Sequence, residues 1–251
     1  RRPLRAKLPR SGAMIPALAV AARSSRSAAA RSDLKPAAFL FDLDGTLVDT
    51  EEAWAGAIVD FLAECGVDMT VERILPSIVG RNWLDINRSL HQRFPEIGDT
   101  TVEDDSRRLR KFFDARVADP SAMIISESVE FLKRVSTKAP VAIVSGSPRA
   151  DIEKAARMMG IERHVEFSLG AGDYPKGKPD PSSYLMAAER FGVDPASCVV
   201  IEDSEVGVAA GVAAGMRVIA LDRKDGRDND FSGAWRIVRS LDEIDVEREF
   251  E

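Results

Sequence analysis

Along the chain, apolar and polar positions fall into two textures. One consists of short continuous apolar runs, "AAFLF", "VAIVS", "VEFSL", "CVVIE" and "RVIAL", with a weaker "WRIV" near the end. Runs of this length, closed by Gly, Pro, Ser or acidic residues, predict buried strands. The other is helical. In "EEAWAGAIVDFLAECG", Ala53, Ala57 and Phe61 recur at one face and the pattern stops at Gly66. "VERILPSIVG", "NWLDINRSLHQRF" and "VEDDSRRLRKFFDARV" extend it, so about 70 residues after the first strand carry no strand pattern. Beyond them strands alternate with the helical stretches "ESVEFLKRV", "PRADIEKAARMMG", "PSSYLMAAERFG" and "EVGVAAGVAAG", and a charged tail closes the chain. Alternation of this kind predicts an α/β fold, a doubly wound Rossmann-like parallel sheet. The first strand cannot form a sheet alone, so the helical block is an insertion. The expected organisation is a core over 36–50 and 121–245, a small helical cap domain over 51–120, and a leader over 1–35.

Charge sharpens the boundary of the leader. Residues 1–32 hold seven arginines, one lysine and no acid, whereas the 251-residue chain is at −6, leaving about −14 on the rest. An acidic body excludes general binding of nucleic acid, which needs Lys and Arg against phosphates. The Arg-, Ala- and Ser-rich leader has the composition of an organelle transit peptide or of a disordered extension. Location is therefore cytoplasmic, or plastid or mitochondrial if the leader targets. No apolar run approaches the roughly 20 residues of a membrane-spanning helix. Cys65 and Cys198 are too few for a disulfide framework and read as apolar thiols.

In a doubly wound sheet ligands bind at the carboxyl ends of the strands, and these ends carry the chemistry. The first gives Asp42 and Asp44, one residue apart on one side of an extended chain, then Gly45 and Thr46. Two close carboxylates in a poorly solvated place do not both ionise without help. The second strand gives Ser145 and Gly146, with Ser147 as an N-cap and Pro148 at the first helical position. After the third comes "GDYPKGKPDP" with Lys176 and Lys178, and after the fourth Glu202 and Asp203. Carboxylates of Asp42, Asp203 and Glu202 suit Mg²⁺. With that cation, Lys178, Ser145 and a helix N-terminus can hold a phosphoryl group. One aspartate can accept phosphoryl while its neighbour moves protons.

"DLDGTLVD", "VSGS", "KGKPDP" and "VIEDSEVGVAAGVAAGM" together resemble the four motifs of the haloacid dehalogenase superfamily, over residues 37–223. The insertion resembles the small cap of its phosphatase and β-phosphoglucomutase-like branch. The resemblance implies Asp42 as nucleophile and Asp44 as acid and base. It implies Thr46 as loop support, Ser145 and Gly146 at the phosphate, and Lys178 beside the nucleophile. Mg²⁺ would be held by Asp42, the Asp44 backbone carbonyl, Glu202 and Asp203. True dehalogenases lack the second acid, so Asp44 argues against that activity. β-Phosphoglucomutases carry a histidine shortly after the first motif where this chain has Trp54, so hydrolysis is favoured over mutation. Arg81 and Asn82, in "IVGRNWLDI", are the substrate candidates of the insertion, with Trp83 as a wall. His91 and His164 have no partner pattern and are read as structural or surface residues. The implied activity is a Mg²⁺-dependent phosphatase of a small phosphorylated metabolite, a sugar phosphate or phosphoglycolate-like compound, through an aspartyl-phosphate. Its implied assembly is a monomer or homodimer. The alternatives are a phosphosugar mutase and a non-enzymatic phospho-accepting module.

Overall fold

The structure, a computed structural model, describes residues 35–78, 81, 83–223 and 229–250. Residues 1–34 of the expected 1–35 leader and the candidate Asn82 lie outside the described residues. Among the described residues six strands form one parallel sheet: β1 (Ala38–Phe41), β2 (Val141–Val144), β3 (Phe167–Leu169), β4 (Cys198–Glu202), β5 (Arg217–Leu221) and β6 (Arg236–Val238). Their order is β3-β2-β1-β4-β5-β6, so the chain winds outward from β1 in both directions, as the alternating pattern predicts. In β1, β2, β4 and β5 every residue is buried. That follows from a sheet covered on both faces, and it explains why these strands read as continuous apolar runs.

Helices α1 (Glu51–Glu64), α2 (Val71–Ile74), α3 (Trp83–Arg93) and α4 (Val102–Arg116) stand between β1 and β2. The stretch "VERILPSIVG" forms less helix than its pattern predicts: α2 covers one turn before Pro76 redirects the chain into a 3₁₀ turn over Leu75–Ser77. The insertion has its own apolar cluster, built around Phe61, Leu62, Ile74 and Leu109. Trp54 stacks on Phe113 with ring centroids 4.1 Å apart. Under these helices Asp105 is fully buried and accepts hydrogen bonds from Asn87 Nδ2 at 2.8 Å and Thr100 Oγ1 at 2.8 Å. His91 Nε2 lies 2.7 Å from the same carboxylate, so His91 is structural, with a partner the sequence did not disclose. The entry and exit of the insertion run side by side. Asp49 N–H donates to Met123 O at 2.8 Å and Ile125 N–H to Leu47 O at 3.0 Å.

The core helices α5 (Ser126–Val135), α6 (Arg149–Met159), α7 (Ser182–Phe191) and α8 (Glu205–Ala213) flank the sheet, and α9 (Val246–Glu249) closes the described chain. The tail is more than charge. Leu241, Ile244, Val246 and Phe250 are buried, and the Phe250 ring meets Phe39 of the central strand edge-on at 5.1 Å. At the amino end of β5, Arg217 is 4% exposed, and its three guanidinium nitrogens have no hydrogen-bond partner among the described residues. The guanidinium rests 5.4 Å from the Trp235 ring centre, and burial pushes its pKa down.

Candidate active site

Sheet register brings the motif residues together. Phe41 lies level with Ile143 of β2 and Ile201 of β4, so three strands end in one row. Asp42 N–H continues the ladder to Ile201 O at 3.0 Å, which sets Asp42 beside Glu202 and Asp203. Oxygens of these three acids lie within 4.8 Å of one another, and all three residues are buried. Lys178, from the loop between β3 and α7, spends its three N–H groups on Asp42 Oδ1 (2.5 Å), Glu202 Oε1 (2.6 Å) and Val144 O (3.1 Å). Burial opposes a charged Lys178, but Asp42 and Glu202 outweigh it and hold the ammonium well above its usual range. Burial raises Asp42; Lys178 pulls it back, while Glu202 and Asp44 push it further up. Burial also raises Asp203, reinforced by Glu202, Asp42 and Glu51.

Three carboxylates against one ammonium leave two negative charges in excess, which is the charge a divalent cation cancels. The donors fit one. Among the described residues the buried Asp203 Oδ2 has no hydrogen-bond partner, while Oδ1 accepts from Thr46 Oγ1 at 3.1 Å. Gly45 has φ +87°, and a Cβ there would stand 2.1 Å from Asp203 Oδ2, so the absence of a side chain keeps that oxygen in place. Glu202 is committed elsewhere. Its Oε2 accepts from the backbone N–H of Asp203 (3.1 Å), that of Ser204 (3.2 Å) and Ser204 Oγ (3.0 Å). Its Oε1 accepts from Lys178 and, at 2.8 Å, from Tyr184 Oη. A Cβ on Gly207 would fall 1.8 Å from Oε1, so α8 approaches this carboxylate only through glycine. Neither Tyr184 nor Gly207 announces this in the sequence, since both sit within helical patterns.

Asp44 is turned away from this cluster. Its carboxylate accepts from Thr50 Oγ1 at 2.7 Å, Ser147 Oγ at 2.7 Å and Ser145 Oγ at 3.2 Å. Ser147 is therefore not the expected N-cap. Helix α6 starts at Arg149 after Pro148, with no side-chain cap, and the Ser147 hydroxyl is drawn to the acid instead. A cavity of about 210 Å³ opens over these groups. Asp42, Asp44, Ser145, Gly146 and Lys178 form its floor, and Trp54, Ile58, Trp83 and Arg110 of the insertion form its roof. Thr46 stands beneath the floor, fully buried. Arg81 is exposed at the rim, its guanidinium donating to Ser77 O (3.1 Å) and Asp85 O (3.4 Å). Trp83 is a wall, fixed by Nε1 donating to Ser106 Oγ at 2.6 Å. Lys176 faces solvent beside Asp180.

The parallel sheet and this array of strand-end acids, hydroxyls and lysine define a class of α/β protein equipped at its strand ends for hydrolytic chemistry. A haloacid dehalogenase-like hydrolase family profile matches residues 36–215, and the chain belongs to that family. It is 30% identical over 193 residues to hexitol phosphatase B of Escherichia coli strain K12, covering 76% of this chain and 86% of that protein. It is 31% identical to a CBBY-like protein of Arabidopsis thaliana, covering 96% of this chain and 82% of that protein. Among solved structures it is similar to a haloacid dehalogenase family hydrolase of Deinococcus radiodurans with bound phosphate and sodium. That match has TM-score 0.63 and 30% identity, over 86% of this chain and 96% of the other.

Proposed function

We propose that this hydrolase of phosphate monoesters acts on a small phosphorylated metabolite, of the sugar or sugar-alcohol phosphate class, through an aspartyl-phosphate on Asp42. The observation that carries the reading is the unequal state of two neighbouring acids. Asp42 lies against the Lys178 ammonium and points at buried, under-satisfied Asp203, whereas Asp44 is held off by hydroxyls. Hexitol phosphatase B, by its name, acts on a substrate of this class.

Asp42 and Asp203, with the Asp44 backbone carbonyl and Glu202 alongside, would hold Mg²⁺, whose charge supports phosphoryl transfer. Lys178 favours the ionised form of Asp42 against burial and orients it for attack on phosphorus. The ester P–O bond breaks as Asp44 gives its proton to the departing alkoxide. Asp44, now ionised, takes a proton from water, and that water oxygen attacks phosphorus to free phosphate and the Asp42 carboxylate. The hydroxyls of Ser145, Ser147 and Thr50 serve either protonation state of Asp44, because each can donate or accept. Ser145 and the Gly146 backbone would bind phosphoryl oxygens. The helical insertion works as a cap: its aromatic roof keeps bulk water from the acyl phosphate. Arg81 and Asn82 are assigned to the leaving group. The test is a phosphate-release screen of the full chain over sugar phosphates, sugar-alcohol phosphates and phosphoglycolate, with Mg²⁺ or with chelator. Release confined to Mg²⁺ is expected; no release from any ester would overturn the reading.

A further inference from the structure

Arg110 on α4 of the insertion reaches Asp151 on α6 of the core, with Nη2 2.5 Å from Oδ2. Its guanidinium also lies 5.1 Å from the Trp54 ring centre and 5.6 Å from that of Phe113. Held by one carboxylate and two stacked rings, it stays fixed in direction. Both partners are about one-third exposed, so solvent and solutes reach the pair. Behind it lies a second cavity of about 230 Å³, between the exit of the insertion and α6, lined by Val117, Met123, Met158 and Lys154. The two cavities share Asp44, Thr50, Trp54, Arg110, Ser147 and Asp151 as a common wall. In that wall the ion pair joins α4 to α6, two elements otherwise separated in sequence by a whole strand and helix.

We propose that the Arg110–Asp151 pair is a partition that determines leaving-group size. Closed, it confines substrate to the front cavity over Asp42. Parted, it adds the rear chamber, whose Val117, Met123 and Met158 suit an apolar or aromatic extension of the alcohol. The proposal rests on the phosphatase reading and adds to it which residues exclude larger esters.

The test compares glycerol phosphate with naphthyl phosphate in wild type, Asp151→Ala, Asp151→Glu and Arg110→Met. The ratio of kcat/KM, naphthyl over glycerol, is expected to rise about tenfold in Asp151→Ala and Arg110→Met, through a lower KM for the naphthyl ester. Asp151→Glu, which keeps the carboxylate, is expected to bring the ratio back toward wild type. A merely structural role would depress both esters alike and leave the ratio unmoved, and that result would overturn the proposal. A second measurement needs no turnover. Naphthyl phosphate binding is followed by tryptophan fluorescence in Asp42→Asn, with and without Asp151→Ala. Tighter binding with the second substitution supports the partition, and equal binding refutes it. Hydrolysis of neither ester by wild type would pass the phosphatase reading to the wider ester screen, while the binding arm alone supports or refutes the partition.

Discussion

Replacing Lys178 with methionine removes the ammonium shared by Asp42 and Glu202. Methionine keeps most of the side-chain volume, so the change is chiefly one of charge. Removing one partner from a buried ionic cluster costs about 3–5 kcal/mol. For a chain of this size that is roughly a 6–20 °C fall in Tm. The loss depends on pH. Lys178 is what lowers the Asp42 carboxyl against burial, so without it Asp42 rises further above its unfolded value of about 3.9. A carboxyl raised in the folded state is protonated and uncharged at low pH, where the missing ammonium matters least. As pH climbs from the unfolded toward the folded pKa, the folded state binds more protons than the unfolded one, and stability falls by up to about 1.36 kcal/mol per pH unit. The Lys178 ammonium itself titrates far above this window. Urea unfolding of wild type and Lys178→Met in chelator, at about pH 5 and about pH 8, should thus show a small deficit at the lower pH and the full one at the higher. Equal deficits at both, or less than about 1 kcal/mol at the higher, would refute the account of the cluster.

Other substitutions probe the same geometry. Asp42→Asn is expected to abolish phosphate release while keeping the circular dichroism spectrum and, in chelator, an unfolding midpoint at or above wild type, because a raised buried carboxyl becomes a neutral isostere; turnover near wild type would contradict the nucleophile assignment. Mg²⁺ should raise the thermal midpoint more as pH increases from about 5 to about 8, since raised carboxyls such as Asp203 must shed protons to bind metal. A pH-independent gain, or a gain retained in Asp203→Asn, would count against that site. Arg217→Met is expected to stabilise by about 1 kcal/mol in urea unfolding, because a buried guanidinium without hydrogen bonds gives way to an apolar side chain; a loss of that size would show that stacking on Trp235 outweighs desolvation.

The strand ends were legible because their signals are local. An apolar run that stops at an acid, a hydroxyl or a Lys-Pro step marks both the strand and what it carries, and a parallel sheet places all such ends on one rim. What escaped depends on long-range placement. Ser147 before a proline satisfies the rule for an N-cap, yet its hydroxyl lies within 2.7 Å of Asp44, a residue 103 positions away. Arg110 sits in "RRLRK" and nothing nearby separates it from its neighbours; its partner Asp151 follows 41 residues later. The tail reads as charged because acids are interleaved with Leu241, Ile244, Val246 and Phe250, and the burial of Phe250 becomes visible only beside Phe39. Glu202 and Asp203 look equivalent in sequence. Their hydrogen bonds separate a carboxylate already saturated with donors from one that keeps a free oxygen.

The place of β1 at the centre of the sheet also has a consequence for synthesis. Phe39 pairs with Val141, 102 residues on, and with Val199, 160 residues on. At roughly 10 residues per second the first partner follows about 10 s after β1 and the second about 16 s after it. Until the first partner arrives "AFLF" has both edges unpaired, and until the second it still has one, the condition that favours pairing with another chain. The insertion emerges during the wait and carries its own apolar cluster, so it can collapse before any sheet exists. Among the described residues the central strand of the enzyme is thus the earliest vulnerability to aggregation, and a chaperone acting on the nascent chain would find there, at residues 38–41, the first exposed apolar strand of the described sheet.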